Sequence, residues 1–188
     1  MARLNRDPMV EAAVNYYWIM SALQGQPWVP FVPSNLDTVR TAFSYIRLGP
    51  QDVFYDLGCG DGRVAVLAAR EFKVKRAVCI EKNPRLASAA FNRAREEGVQ
   101  ERVHVINGDM YNIPINDATV VYMYLLTSVN EVLKPKLERE LGRGSKIVTL
   151  DFKIPGWAPY RVLGPGKGWQ KTVYIYVKGL SDIVTRAL

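Results

Sequence analysis

The sequence predicts an α/β fold, a mainly parallel sheet covered by helices on both faces, and three observations predict it. Short β-branched, apolar runs alternate with longer segments of helical periodicity from Leu36 onward. No repeat or low-complexity segment interrupts the alternation. A glycine-rich turn, GCGDG at residues 58–62, stands where the first strand must give way to its helix. With the right-handed crossovers that parallel strands require, a ligand belongs outside the carboxyl ends of the strands.

Taken in order, residues 1–25 read as a helical extension in front of a domain that spans 26–188. MVEAAVNYYWIMSAL is amphipathic and would dock its aromatic side onto that domain, with a dimer contact or a substrate gate as the alternative. QGQPWVPFVP, residues 24–33, ends the helix, because proline cannot continue one. Its prolines make a stiff extended strip. Then follow a helix over 36–47, a strand over 53–57, a helix over 62–71, a strand over 77–81 and a helix over 85–97. Strands over 103–106 and 119–124, a helix over 129–141, and strands over 146–151 and 172–177 complete the series.

Composition narrows the function classes. At 188 residues and 48% hydrophobic, the chain is one ordinary domain with a sizeable core. Its net charge of +7 and pI of about 9.5 favour acidic partners, although the Lys and Arg residues are spread over positions that read as solvated surface. Cys59, in the glycine loop, and Cys79, in a strand, are too few for a disulfide framework or a zinc cluster, so a reducing interior is expected. The start carries Asp7 and Glu11, and its apolar run is broken by Asn15 and is too short for a span, so a cytoplasmic location is expected. No His/Cys/Asp group has metal-ligand spacing and no nucleophile stands with a base partner, so no metal is expected. His104, the one histidine, falls in a strand pattern and reads as structural.

Gly58, Gly60 and Gly62 permit positive φ and a close backbone approach. Loop N–H groups and the helix N-terminus would make a donor-rich cradle for a nucleotide-like ligand. Asp56, two residues earlier, selects among such ligands: its carboxylate repels a pyrophosphate and attracts an ammonium or sulfonium. The spacing G-x-G-x-G also differs from the dinucleotide pattern, which ranks dehydrogenase chemistry last. Glu81, at the end of the second strand, has the acceptor geometry for both hydroxyls of a ribose. Asp109 in NGDM ends the third strand, where it could accept from an adenine amino group while the Met110 N–H donates to a ring nitrogen.

YDLGCGDGR, CIEKNP and NGD resemble the cofactor motifs of the class I, seven-strand, Rossmann-like S-adenosylmethionine-dependent methyltransferases. The resemblance implies a doubly wound sheet with an antiparallel C-terminal strand and S-adenosyl-L-methionine as cofactor. Asp56, Gly58, Gly60 and Gly62 would hold the methionine part, Glu81 the ribose, and Asp109 with Met110 the adenine, with Tyr124 also at the cofactor. A closer likeness, from PFVPS through YLLTSVNEVLKPKLERELGRGSKIVTLDFKIPGW, is to the archaeal protein lysine methyltransferases related to the nucleosomal lysine methyltransferases that lack a SET domain. This chain has Phe31 where that pattern has tyrosine, and the segment after Asp151 is too short for the last helix of the general fold.

Base- and glutamine-methylating relatives carry Asn or Asp before Pro-Pro-aromatic after the fourth strand, whereas this chain reads YMYLLT from Tyr122. An amine needs no such acceptor; it needs desolvation and alignment. The candidate channel walls are Phe31, Val32 and Pro33, Tyr124 and Leu125, and Phe152 and Trp157. The expected function is lysine N-methylation of proteins with exposed lysines, over a broad range that includes basic chromatin proteins, by a monomer. Nucleic acid is a partner the charge allows and the chemistry does not require. An RNA or small-molecule methyltransferase and a non-catalytic cofactor- or nucleic-acid-binding module remain the alternatives.

Overall fold

The computed structural model describes residues 31–164 and 171–183. The helix expected within residues 1–25 lies outside the described residues. The chain divides between Pro33 and Ser34, and the elements named next belong to the unit that begins at Ser34.

Helix α1 (Leu36–Tyr45) starts where Asn35 takes the N–H groups of Asp37 and Thr38 on its side chain. It stops as Arg47 turns to φ 54°. Strand β1 (Val53–Leu57), helix α2 (Arg63–Arg70), strand β2 (Arg76–Glu81) and helix α3 (Pro84–Glu96) follow. Asn83 caps α3, with Pro84 in its first turn. Strand β3 (Val103–Asn107), strand β4 (Val120–Met123), helix α4 (Thr127–Glu140) and strand β5 (Lys146–Leu150) complete the alternation.

Two further strands close the sheet, β6 (Arg161–Leu163) and β7 (Val173–Val177). The order is β3-β2-β1-β4-β5-β7-β6. Pairing is parallel from β3 to β5, and β7 runs antiparallel to both β5 and β6, which agrees with the expected antiparallel C-terminal strand. β6 went unpredicted: three residues, two of them exposed, on the sheet edge give no alternating pattern. Among the described residues no helix stands between β5 and β6.

β1 lies between β2 and β4, at the point where strand order reverses, and the crevice there is the ligand position of such sheets. The core is mainly aliphatic, with a small aromatic cluster inside it. The Phe43 ring on α1 meets Phe54, Phe72 and Tyr122 edge-on, with centroids 5.2, 5.6 and 5.9 Å away.

The cysteines correct the sequence reading. Cys59 and Cys79 are joined in a disulfide, with Cα atoms 5.4 Å apart. Strand register is the cause: Asp56 pairs with Cys79, and the loop after β1 folds back so that the Cys59 N–H donates to the Ile80 carbonyl at 3.1 Å. Two cysteines twenty residues apart are too few for a disulfide framework, yet the fold makes them neighbours.

Candidate cofactor and acceptor site

Gly58, Gly60 and Gly62 all have positive φ, at 75°, 57° and 76°. The last is also a contact requirement, because a Cβ there would lie 2.7 Å from the Ala90 Cβ and 2.9 Å from its Cα. At Gly58 a Cβ would lie 3.0 Å from Leu125 Cδ2, so the residues after β4 press directly on the loop.

The loop's first N–H groups do not form the expected cradle. Those of Gly58 and Cys59 donate to the Ile80 carbonyl at 2.9 and 3.1 Å, and that of Gly60 donates to Glu81 Oε2 at 2.9 Å. The loop is stitched to β2. Asp61 then ties it to α3, accepting from the Arg93 guanidinium at 2.7 Å while its carbonyl accepts from Arg93 Nε at 2.9 Å. Burial would raise the Asp61 carboxyl, but Arg63 and Arg93 hold it below the ordinary carboxylate value.

Asp56 is different: 2% exposed, its Oδ2 has no hydrogen-bond partner among the described residues. Burial first, then the carboxylates of Glu81 and Asp61, pushes it well above the ordinary carboxylate value, and only the backbone N–H of Ala65 opposes them. A buried carboxyl oxygen left unpaired beside a glycine turn is a vacant acceptor for a cation.

Glu81 also lies in this crevice. Besides the Gly60 bond, its Oε1 accepts from the Asn83 N–H at 2.7 Å, so each oxygen keeps one further lone pair. Asp109 caps its own turn, Oδ1 accepting from the Tyr111 N–H at 3.1 Å, while Oδ2 meets Lys82 Nζ at 3.1 Å. Met110 follows it, half-buried.

At the carboxyl ends of β4 and β5 the structure groups Tyr124, Leu125 and Phe152, with the Tyr124 and Phe152 ring centroids 6.1 Å apart. Buried Asn130 on α4 holds Phe152, donating to the carbonyls of Phe152 and Lys153 at 3.2 Å each. Trp157 is not part of this group: its Nε1 donates to Glu138 at 3.1 Å and its ring lies against Tyr176, so it anchors the loop after β5. Phe31, Val32 and Pro33 fall in the other unit.

Three features escaped the sequence reading. Ser34 Oγ and the Tyr122 hydroxyl are hydrogen-bonded at 2.9 Å, both buried. The disulfide is the second. The third is Lys171, whose Nζ reaches Asp151 Oδ2 at 3.0 Å and the Tyr124 hydroxyl at 3.2 Å.

The model of the ANTKMT methyltransferase domain matches residues 56–161, from the unpaired acid to β6. The chain belongs to the ANTKMT methyltransferase family. A protein-lysine N-methyltransferase of Saccharolobus islandicus (strain REY15A) is 43% identical over 154 residues, covering 81% of this chain and 96% of that protein. The adenine nucleotide translocase lysine N-methyltransferase of Mus musculus is 34% identical, over 73% of this chain and 59% of its own length. The chain therefore spans about three fifths of that vertebrate relative.

Among solved structures, one described as an RNA methyltransferase from Salinibacter ruber in complex with S-adenosyl-L-homocysteine has 39% identity and a TM-score of 0.74, over 78% of this chain and 93% of that one. A Geobacter sulfurreducens S-adenosylmethionine-dependent methyltransferase, also with S-adenosyl-L-homocysteine, is 26% identical with a TM-score of 0.56, over 71% and 53%. This ANTKMT-family protein is a class I, Rossmann-like methyltransferase, and its cofactor is S-adenosyl-L-methionine. Among the described residues no helix is long and apolar enough to cross a membrane.

Proposed function

We propose that the protein transfers the methyl group of S-adenosyl-L-methionine to lysine side-chain amines of proteins, as a protein-lysine N-methyltransferase. The observation that carries this reading is the 43% identity to the Saccharolobus islandicus enzyme along 96% of its length. The chain after β4 supports it, because YMYLLT has no amide or carboxylate within it to accept from a planar, weakly basic nitrogen.

The site suits the cofactor on structural grounds, above all the orphaned Asp56 Oδ2. A carboxyl whose pKa burial has raised ionises when a cation reaches it, and the ammonium of the methionine part is such a cation. Asp56 and the turn through Gly58, Gly60 and Gly62 hold that part. Glu81 keeps a lone pair on each oxygen for the ribose hydroxyls, and Asp109 with Met110 borders the adenine.

When bound, the cofactor supplies an electrophilic methyl: the amine lone pair forms the new N–C bond as the C–S bond breaks, its electrons remaining on sulfur. The chain's own task is to present a neutral amine. In water a lysine holds its proton up to a pKa of about 10.4. The apolar side chains of Leu125 and Phe152 lower that value, and the proton leaves to water. The same side chains align the nitrogen. Acceptors are exposed lysines over a broad range of proteins, chromatin-type basic proteins among them, and the enzyme acts as a monomer in the cytoplasm.

One observation favours a second reading, RNA methylation: the Salinibacter ruber structure described as an RNA methyltransferase is 39% identical, and the net charge of +7 suits a polyanion. Methyl-labelled cofactor offered with a basic protein mixture, with total RNA and with no acceptor separates the two. Label in protein supports lysine transfer; label in RNA alone overturns it.

A further inference from the structure

Tyr124 belongs with Asp151 and Lys171 to a polar group at the edge of the acceptor site. Asp151 stands one residue beyond β5 and Tyr124 one beyond β4, both at the strand ends where the ligand crevice opens. Leu125, the next residue after Tyr124, is the one that presses on Gly58. Lys171 arrives from the leading edge of β7. Its ammonium meets Asp151 Oδ2 at 3.0 Å and the Tyr124 hydroxyl at 3.2 Å, and it stands over the Tyr124 ring, 5.7 Å from the centroid. The Tyr124 hydroxyl in turn lies 3.3 Å from Asp151 Oδ2.

A carboxylate, a phenol oxygen and an aromatic face converging on one point are the groups that recognise an alkylammonium. Lys171 satisfies them in the free enzyme, and the side chain this enzyme methylates has the same chemistry. We propose that Asp151 and Tyr124 form the seat that receives the substrate lysine's ammonium, and that Lys171 fills this seat until substrate displaces it. The proposal rests on the lysine-methylation reading. Binding exchanges one ammonium for another on the same carboxylate, with no covalent change.

Two observations set this apart from a brace between strands. The β5–β7 pair is already registered from Lys146 to Leu150, and Asp151 closes it without Lys171, its N–H donating to the Thr172 carbonyl at 2.7 Å and its side-chain Oδ1 accepting from the Thr172 N–H at 3.0 Å. The ion pair is not needed to set the register. Asp151 also holds φ at 60°, a conformation that non-glycine residues seldom adopt, and such outliers cluster at functional sites.

The test is methyl transfer to a synthetic peptide with a single lysine, at varied peptide concentration, for wild type, Lys171→Met and Asp151→Asn, with cofactor affinity of each measured by calorimetry. Asp151→Asn is expected to raise the peptide KM roughly tenfold, the scale of a lost charge-assisted hydrogen bond, with cofactor affinity retained. Lys171→Met removes the internal competitor and should lower the KM several-fold. It should also make n-butylammonium chloride a stronger competitor of the peptide than it is for wild type. A purely structural ion pair predicts the opposite sign for Lys171→Met. An unchanged or raised KM in a Lys171→Met protein that binds cofactor normally would overturn the proposal. If that variant does not fold, an unchanged KM in Asp151→Asn overturns it as well. A wild-type enzyme that binds cofactor yet labels no lysine would instead sink the lysine-methylation reading itself.

Discussion

Cys59 of the glycine loop is bonded to Cys79, two residues before Glu81, so the loop is covalently tied to the strand that ends in Glu81. Gly60 repeats the tie without a covalent bond, through its N–H on Glu81. Closing a loop of this length constrains the unfolded chain by about 3 kcal/mol. Reduction, or Cys59→Ala with Cys79→Ala, should therefore lower Tm by roughly 6–12 °C for a chain of this size. Cofactor affinity should fall with it, because the loop then rests on hydrogen bonds alone. Calorimetry with and without reductant checks both effects.

The buried carboxyl of Asp56 costs stability as pH rises. Its folded-state pKa is raised, so the folded chain binds more protons at this carboxyl than the unfolded chain does once pH passes the unfolded value, about 3.9. Stability from this group is present below that value and is lost as pH rises through the raised one. Asp56→Asn should raise Tm at neutral pH, with the gain vanishing near pH 4, and should weaken cofactor binding at least about tenfold. Thermal melts across pH, beside calorimetric titration, would show whether the two effects part in this way.

Gly62 and Gly98 test the meaning of the turn. Both have positive φ, but a Cβ on Gly98 meets nothing within 4 Å, whereas one on Gly62 strikes Ala90. Gly98→Ala should cost about 1–2 kcal/mol from backbone conformation alone. Gly62→Ala adds overpacking and should cost about 3 kcal/mol in all. Equal losses in denaturant melts would mean that α2 and α3 are not in the contact described.

Glu81→Gln keeps the shape but leaves one of two backbone donors, Gly60 or Asn83, facing an amide NH2. The expected cost is about 1–3 kcal/mol in stability. With Glu81 in the proposed ribose role, cofactor affinity should fall further than stability does. An unaffected cofactor affinity would remove Glu81 from the site.

Much of this architecture was legible because it is periodic or local. The β1–loop–α2 unit announces itself through an apolar run, three alternating glycines and a helical run, and Asn35 and Asn83 cap their helices from adjacent positions. What stayed hidden depends on register between distant segments. Cys59 meets Cys79 because β1 and β2 pair in one alignment among several. Lys171 meets Asp151 because β7 returns antiparallel along β5. The loop N–H groups were misjudged for the same reason, since the Ile80 carbonyl and Glu81 that receive them come from another strand. Trp157 read equally as a channel wall or a loop anchor, and the positions of Glu138 and Tyr176 make it an anchor.

The most direct test of the account is to incubate the pure protein and its Asp56→Asn variant with methyl-labelled S-adenosyl-L-methionine and a basic protein mixture, then locate the label by tandem mass spectrometry. The account predicts methyl groups on lysine Nζ atoms with the wild type and none, or nearly none, with the variant. Label confined to other residues, or lysine label of equal intensity with Asp56→Asn, would contradict it.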